Sequence, residues 1–89
     1  MNTEDFLRLC EEKVIEYYKN TSIFNSLVIE KTLKIYKVWY SKTLQNHKCC
    51  MSTSNDDFLY FEFTYNGDKK QLYMDVYDKL ENKCYEIWE

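Results

Sequence analysis

The 89-residue sequence contains no proline, a single glycine and a single histidine. Proline- and glycine-rich compositions are typical of linkers and disordered segments, so their near absence argues against both. No run approaches the roughly 20 apolar residues that a membrane-spanning helix needs. The MNTEDF start lacks the basic and apolar regions of a secretory signal peptide. We therefore expect one small domain over residues 1–89 that is cytosolic and has no membrane partner.

Concentrated positive charge is also missing. The formal net charge is −3, and lysine and arginine are spread along the chain rather than gathered into a stripe. Neutralisation of phosphates by such a stripe supplies most of the affinity of nucleic-acid-binding proteins. The composition therefore disfavours a nucleic-acid partner.

The motifs of common catalytic and metal sites are absent as well. The sequence has no GxGxxG, GxxxxGK[ST] or HExxH motif, and one histidine is too few for a convincing nucleophile–base set. The four cysteines, Cys10, Cys49, Cys50 and Cys84, show no CxxC spacing. Cys49 and Cys50 would point to opposite faces of a strand, which makes them poor ligands for one metal ion. We expect free thiols, no metal or cofactor, and no enzymatic activity.

Aromatic residues are what the chain has in plenty. They make up 18% of the residues, and 45% are hydrophobic. A domain of this size buries only about 60% of the surface of its unfolded chain. Because each large aromatic side chain buries roughly 150–250 Å², this content is sufficient for a core.

The strongest structural signal is a β-hairpin over residues 58–77. Apolar and polar residues alternate before and after Asn66-Gly67, which is the pattern of half-buried strands. Asn-Gly favours the positive φ angles of a tight hairpin turn. The predicted core positions of the hairpin are Leu59, Phe61, Phe63, Leu72, Met74 and Val76.

Other segments complete an α+β fold. Residues 3–19 have the three- and four-residue apolar spacing of an amphipathic helix. Residues 33–42 and 47–54 are predicted strands, while 23–31 fits either a long connection or a short strand. In the 33–42 strand, plain alternation places Trp39 on one face with Ile35, and Tyr36 on the other with Val38 and Tyr40.

The prediction is an N-terminal helix packed on a four- to five-stranded antiparallel meander, with residues 84–88 as the last strand. Leu72, Val76 and Leu80 also fit helical spacing. The alternative is therefore an α-β-β-β-α order in which residues 70–82 are helical.

The polar positions of the hairpin predict a binding surface. Tyrosine offers a large contact area, a hydrogen-bonding tip and little rotamer entropy to lose, and binding surfaces favour it. A second protein layer or a homodimer partner would equally account for tyrosines on this side. The candidate binding residues are Tyr60, Tyr73, Tyr77, Glu62 and Asp75.

Four segments of the chain carry a family resemblance: VWYSKTLQNHK (38–48), MSTS (51–54), YFEFTYNGDK (60–69) and LYMDVYDKLEN (72–82). They resemble an uncharacterised family of short proteins encoded by bacteriophages and prophages of Gram-positive hosts. The family has no assigned activity, so the resemblance implies only a context, that of a small accessory protein acting in the host cytoplasm.

This context suggests two main classes of function. The first is a non-enzymatic inhibitor that binds a host or anti-phage defence protein, for example a CRISPR nuclease. The second is a sponge that sequesters a nucleotide immune signal, and a small virion or scaffold component ranks third. A nucleotide site would need aromatic rings for stacking and lysines for phosphate. Its candidate residues are Trp39, Tyr40, Lys42, Gln45, Asn46, Lys48, Lys69 and Lys70.

Overall fold

The computed structural model describes residues 1–21, 33–54 and 59–88. The predicted connection over 23–31 lies outside these ranges. The elements are α1 (Thr3–Thr21), β1 (Ile35–Thr43), β2 (Asn46–Thr53), β3 (Leu59–Asn66) and β4 (Gln71–Asp78).

The four strands form one antiparallel sheet in the order β1-β2-β3-β4. The predicted α+β fold of a helix on a meander sheet is therefore confirmed. The segment after the hairpin turn is strand β4, so the alternative with residues 70–82 helical is wrong. The fifth strand predicted at 84–88 is also wrong, because residues 79–88 have no regular secondary structure.

The start of helix α1 is stabilised by a capping residue and by acidic residues in its first turn. The backbone N–H of Asp5 donates to Asn2 Oδ1 at 2.8 Å, and Glu4 and Asp5 place negative charge in the first turn. Both features stabilise a helix N-terminus. Within the described residues, no helix combines the length and the apolar character needed to cross a membrane.

The core lies between α1 and one face of the sheet. Its largest sheet residues, Phe61, Phe63 and Met51, are almost completely buried. The predicted core residue Met74 is instead 36% exposed, because β4 is an edge strand of the sheet formed by the described residues. The full buried cluster is Phe6, Cys10, Val14, Tyr18, Cys49, Met51, Phe61, Phe63 and Tyr65.

A hydrogen-bond chain joins the start of α1 to the sheet through His47, which is 1% exposed. His47 Nε2 lies 3.1 Å from the carbonyl oxygen of Met1, which can only accept, so Nε2 carries a proton. In the neutral imidazole, Nδ1 then accepts from Tyr40 Oη at 2.6 Å, and Tyr40 Oη accepts from Thr3 Oγ1 at 2.9 Å. Phe6 stacks on the imidazole at a centroid distance of 4.9 Å. Both ring nitrogens of His47 therefore make hydrogen bonds that hold the start of α1 on the sheet.

The β3–β4 turn differs from the predicted Asn-Gly hairpin. Gly67 has no positive φ, and the left-handed residue of this turn is Lys70, with φ 53°. Asn66 Oδ1 accepts from the backbone N–H groups of Asp68 and Lys69 at 3.0 and 3.2 Å, which folds the turn locally. Glycine is needed at 67 for a different reason: a Cβ there would lie 2.2 Å from the backbone oxygen of Gln45.

Replacement of the glycine tests this close approach. Gly67→Ala forces the two turns apart, and overpacking of this kind costs about 1–3 kcal/mol. We expect the free energy of unfolding, measured by urea denaturation, to fall by that amount. The matched variant Lys70→Gly relieves a left-handed side chain, so its stability should stay within about 1 kcal/mol of the parent or exceed it. Destabilisation by Lys70→Gly with tolerance of Gly67→Ala would contradict the observed turn.

Removal of one hydroxyl tests the His47 chain. Tyr40→Phe leaves the buried Nδ1 of His47 and the Thr3 hydroxyl without their shared partner, and an unsatisfied buried polar group costs about 1–3 kcal/mol. We expect a lower thermal midpoint by calorimetry, by several degrees for a domain of this size. Tyr36→Phe, which removes the hydroxyl of a half-exposed ring on the same strand, is the control and should leave the midpoint nearly unchanged.

Candidate functional site

The candidate site is the face of the sheet that points away from α1, called the open face below. The register pairs Tyr60 with Tyr77, Glu62 with Asp75, and Thr64 with Tyr73. Alternate residues of these strands, Phe61 and Phe63 among them, fill the core under α1. The structure therefore places all five predicted binding residues on one continuous surface, which nothing among the described residues covers with a second layer.

A β-bulge in β1 adds two aromatic residues to the open face. The register shifts between Lys37 and Trp39, so that Tyr36 pairs with Ser52 and Trp39 with Cys50. Both rings consequently lie on the open face, while Ile35 and Tyr40 pack against the core. The prediction by plain alternation is therefore wrong for Trp39 and Tyr40, because a bulge reverses the phase. Trp39 shares a face with Tyr36 rather than with Ile35, and Tyr40 shares a face with Ile35. The sign of this bulge in the sequence is the run of apolar residues before and after Val38, which interrupts the alternation.

The aromatic residues of the open face are available for contact. Tyr36, Tyr73 and Tyr77 are about half exposed, at 53%, 54% and 52%, and Trp39 is 39% exposed. Tyr60 is partly buried among them. Flat rings with polar tips combine apolar contact area with hydrogen-bonding capacity. The open face is thus a shallow aromatic surface rather than a closed cleft.

The charges on this face are unevenly balanced. Lys48 Nζ lies 3.2 Å from Glu62 Oε1, on the strand next to it. Asp75, directly across from Glu62 on β4, has no ion pair within the described residues. Its carboxylate lies two residues from Tyr73 and two from Tyr77, on the same face. The β4 side of the open face therefore carries an unbalanced negative charge between two aromatic rings.

The thiols offer no activated nucleophile at this surface. Cys50 lies on the open face but is only 8% exposed, and burial, followed by the nearby Glu62 carboxylate, raises the pKa of its thiol. Cys10 and Cys49 lie on the helix side, with their Sγ atoms 3.8 Å apart. Hydrogen bonding to Cys49, together with burial, raises the pKa of the Cys10 thiol. The same contact lowers the pKa of the Cys49 thiol, but Cys49 is completely buried. Thiols that are held protonated or have no access to solvent are poor nucleophiles.

The residues predicted for a nucleotide site are divided by the fold. Trp39 and Lys48 lie on the open face, whereas the hydroxyl of Tyr40 is bound to His47 and Thr3 on the helix side. Lys42 pairs with His47 in the register, which also places it on the helix side.

The two hairpin turns hold the other four members of that set. The Gln45 side-chain amide donates to the Asp68 carboxylate, and Asn46 Oδ1 accepts from the backbone N–H of Gly67 at 2.9 Å. Lys69 and Lys70 are exposed in the second turn. The turns therefore lie together, as expected, but the amides of Gln45 and Asn46 bind the neighbouring turn rather than facing a free pocket.

A shallow depression lies beside these turns. Its volume is about 230 Å³, below the roughly 300–1,000 Å³ of typical small-molecule sites. No ring from the predicted stacking residues contributes to its wall. It is lined by Ser41, Thr43, Asn46, His47, Lys48 and Thr64.

Comparison with known proteins gives a family but no activity. No curated protein and no solved structure matches the chain. The model of a family of unknown function, DUF6275, matches residues 7–87. This range covers most of α1, the four strands β1–β4 and most of the segment after β4, so the chain belongs to the DUF6275 family of unknown function.

Proposed function

We propose that this protein is a non-enzymatic, phage-encoded accessory protein that inhibits a bacterial host or anti-phage defence protein by binding it through the open face. The observation that carries the proposal is the aromatic open face itself, with Tyr36, Tyr73 and Tyr77 each about half exposed. The phage context and the Gram-positive host come from the sequence resemblance, and they are part of the proposal.

The geometry of the open face suits a protein partner. Tyrosine and tryptophan are enriched among the residues that dominate protein–protein binding energies. The sheet beneath them is held by three antiparallel ladders, of which β2–β3 and β3–β4 run without a register shift. A rigid surface loses little conformational entropy on binding, which favours affinity.

The unbalanced Asp75 indicates the chemistry of the partner surface. A carboxylate flanked by two tyrosine rings suits an arginine or lysine, because the cation can pair with the carboxylate and stack on a ring. We therefore expect the target to present a basic side chain to the β4 side of the open face. Charge complementarity of this kind contributes mainly to specificity and association rate.

The nucleotide sponge is the weaker alternative. Its predicted residues are divided between the two sides of the sheet, and the amides of Gln45 and Asn46 are bound to the neighbouring turn. The depression beside them is smaller than a usual nucleotide pocket. An open aromatic face is better suited to a broad protein surface than to a single small molecule.

The double variant Tyr73→Ala/Tyr77→Ala tests the protein-binding proposal. Loss of a central aromatic contact typically costs about 2 kcal/mol or more, so binding to a target captured from host lysate should weaken by at least about thirtyfold. Because both side chains are exposed, the free energy of unfolding should fall by no more than about 1 kcal/mol. The measurements are calorimetric titration against the purified target and urea denaturation.

Two further variants make this test specific. Leu44→Ala removes an exposed apolar side chain from the β1–β2 turn, outside the open face, and should leave target binding unchanged. Asp75→Lys should weaken binding and lower its association rate.

The target's own activity should fall to its minimum at one molar equivalent of the parent protein. Undiminished binding by the double variant would overturn the proposal, and so would release of a nucleotide with no protein partner.

A further inference from the structure

The segment that follows β4, residues 79–88, carries large apolar side chains that the core does not use. Leu80, Tyr85, Ile87 and Trp88 are 92%, 73%, 75% and 94% exposed, and none of them belongs to the core cluster. Isolated exposed apolar residues are common on protein surfaces. Four of them within nine residues of one segment form a concentrated apolar surface, and such surfaces mark interaction sites.

The same segment has the pattern of a strand. Tyr85 and Ile87 alternate with Cys84, Glu86 and Trp88, which is the period of two on which the predicted fifth strand was based. It pairs with none of the strands that the structure describes. A sequence with strand character and exposed apolar residues therefore lies directly beyond an edge strand.

The two edges of the described sheet differ in how well they are protected. The bulge between Lys37 and Trp39 interrupts β1, and β1 itself contains Lys37 and Lys42. Bulges and lysines are the usual devices that prevent pairing between sheet edges. Strand β4 contains no lysine between Gln71 and Asp78, and its eight pairs with β3 run without a shift. The edge of β4 is therefore the one suited to accept another strand.

We propose that residues 83–88 of one copy add as a strand to the outer edge of β4 in a second copy, and that the exchange is reciprocal. The sheet of each copy then gains the fifth strand that the sequence pattern predicts. Residues 79–82, between β4 and the added strand, act as the connection between copies. Exchange of an identical element is a common route to a two-fold dimer.

The apolar area is sufficient for a stable dimer. The two aromatic side chains of one segment, Tyr85 and Trp88, cover roughly 300–500 Å². They also cover a similar area on the surface of the second copy. Because the exchange is reciprocal, both areas are buried twice in the dimer. The total of roughly 1,200–2,000 Å² lies in the range of specific, stable interfaces.

The exposure of Met74 on β4 indicates which side chains of the added strand face the core. Met74 lies on the helix side of the sheet opposite the fully buried Phe63, yet it is more than one third exposed. Tyr85 and Ile87, which share one side of the added strand, would cover Met74 and extend the core. Trp88, on the other side, would then lie next to Tyr73 and Tyr77.

Sedimentation velocity of the full-length chain at increasing concentration tests the proposal. We expect the parent protein to form a species of twice the monomer mass. Tyr85→Lys/Ile87→Lys should raise the concentration needed for dimer formation by at least about tenfold, because the dimer would then have to bury two unpaired charges in each copy. Leu44→Lys, the same kind of change at an equally exposed apolar residue outside the segment, should have no effect.

Hydrogen exchange of the backbone amides of residues 83–88 separates exchange between copies from docking within one chain. These amides belong to no described strand, and pairing with β4 would protect those that donate to it. Exchange between copies predicts that their protection rises with the protein concentration. Protection at every concentration in a monomer would show that the segment docks on its own β4 and would overturn the proposal. Lack of protection at every concentration, or a dimer that survives the lysine variant, would overturn it as well.

Discussion

The packing of a single helix on one face of the sheet determines what the rest of the molecule can do. The stripe of α1 from Phe6 to Tyr18 is covered by inward residues of β2 and β3, and together they provide most of the buried apolar area. The hydrogen-bond chain from Thr3 through Tyr40 and His47 to Met1 then fixes the start of the helix on the sheet. A chain this short has one described helix available, so the opposite face remains open among the described residues and supplies the candidate binding surface.

Irregular features, more than regular ones, shape that surface. The bulge at Val38 turns Tyr36 and Trp39 onto the open face, although plain alternation separates them. The close approach of Gly67 to Gln45 brings the two hairpin turns together, which occupies amides that would otherwise be free to bind a ligand. Both features favour a broad aromatic surface over a polar pocket, and this preference is the reason for placing a protein target ahead of a nucleotide.

Elements with a long, regular pattern of apolar residues could be predicted from the sequence. Alternation over 59–65 and 72–77, together with the helical stripe from Phe6, was sufficient for the helix, the hairpin and the outward placement of Tyr60, Tyr73 and Tyr77. Single-residue effects were not predictable in this way. The phase change at Val38, the left-handed Lys70 in place of Gly67, and the exposure of Met74 depend on contacts with other strands. The fifth strand failed for a related reason, because its pattern was real but its partner lay outside the single chain, according to the proposed exchange.

The two proposed interactions can coexist because they use different atoms of β4. Strand addition would use the outward backbone N–H and C=O groups of the edge, whereas target binding would use side chains that project from the open face. A dimer joined edge to edge would therefore leave both open faces uncovered, while a dimer packed face to face would hide Tyr73 and Tyr77 from any target. With two open faces on one rigid particle, binding to a target that presents two sites would gain from effective concentration without any new contact. Edge exchange thus would strengthen the open face as a docking surface, and the protected edge of β1 would limit assembly to two copies.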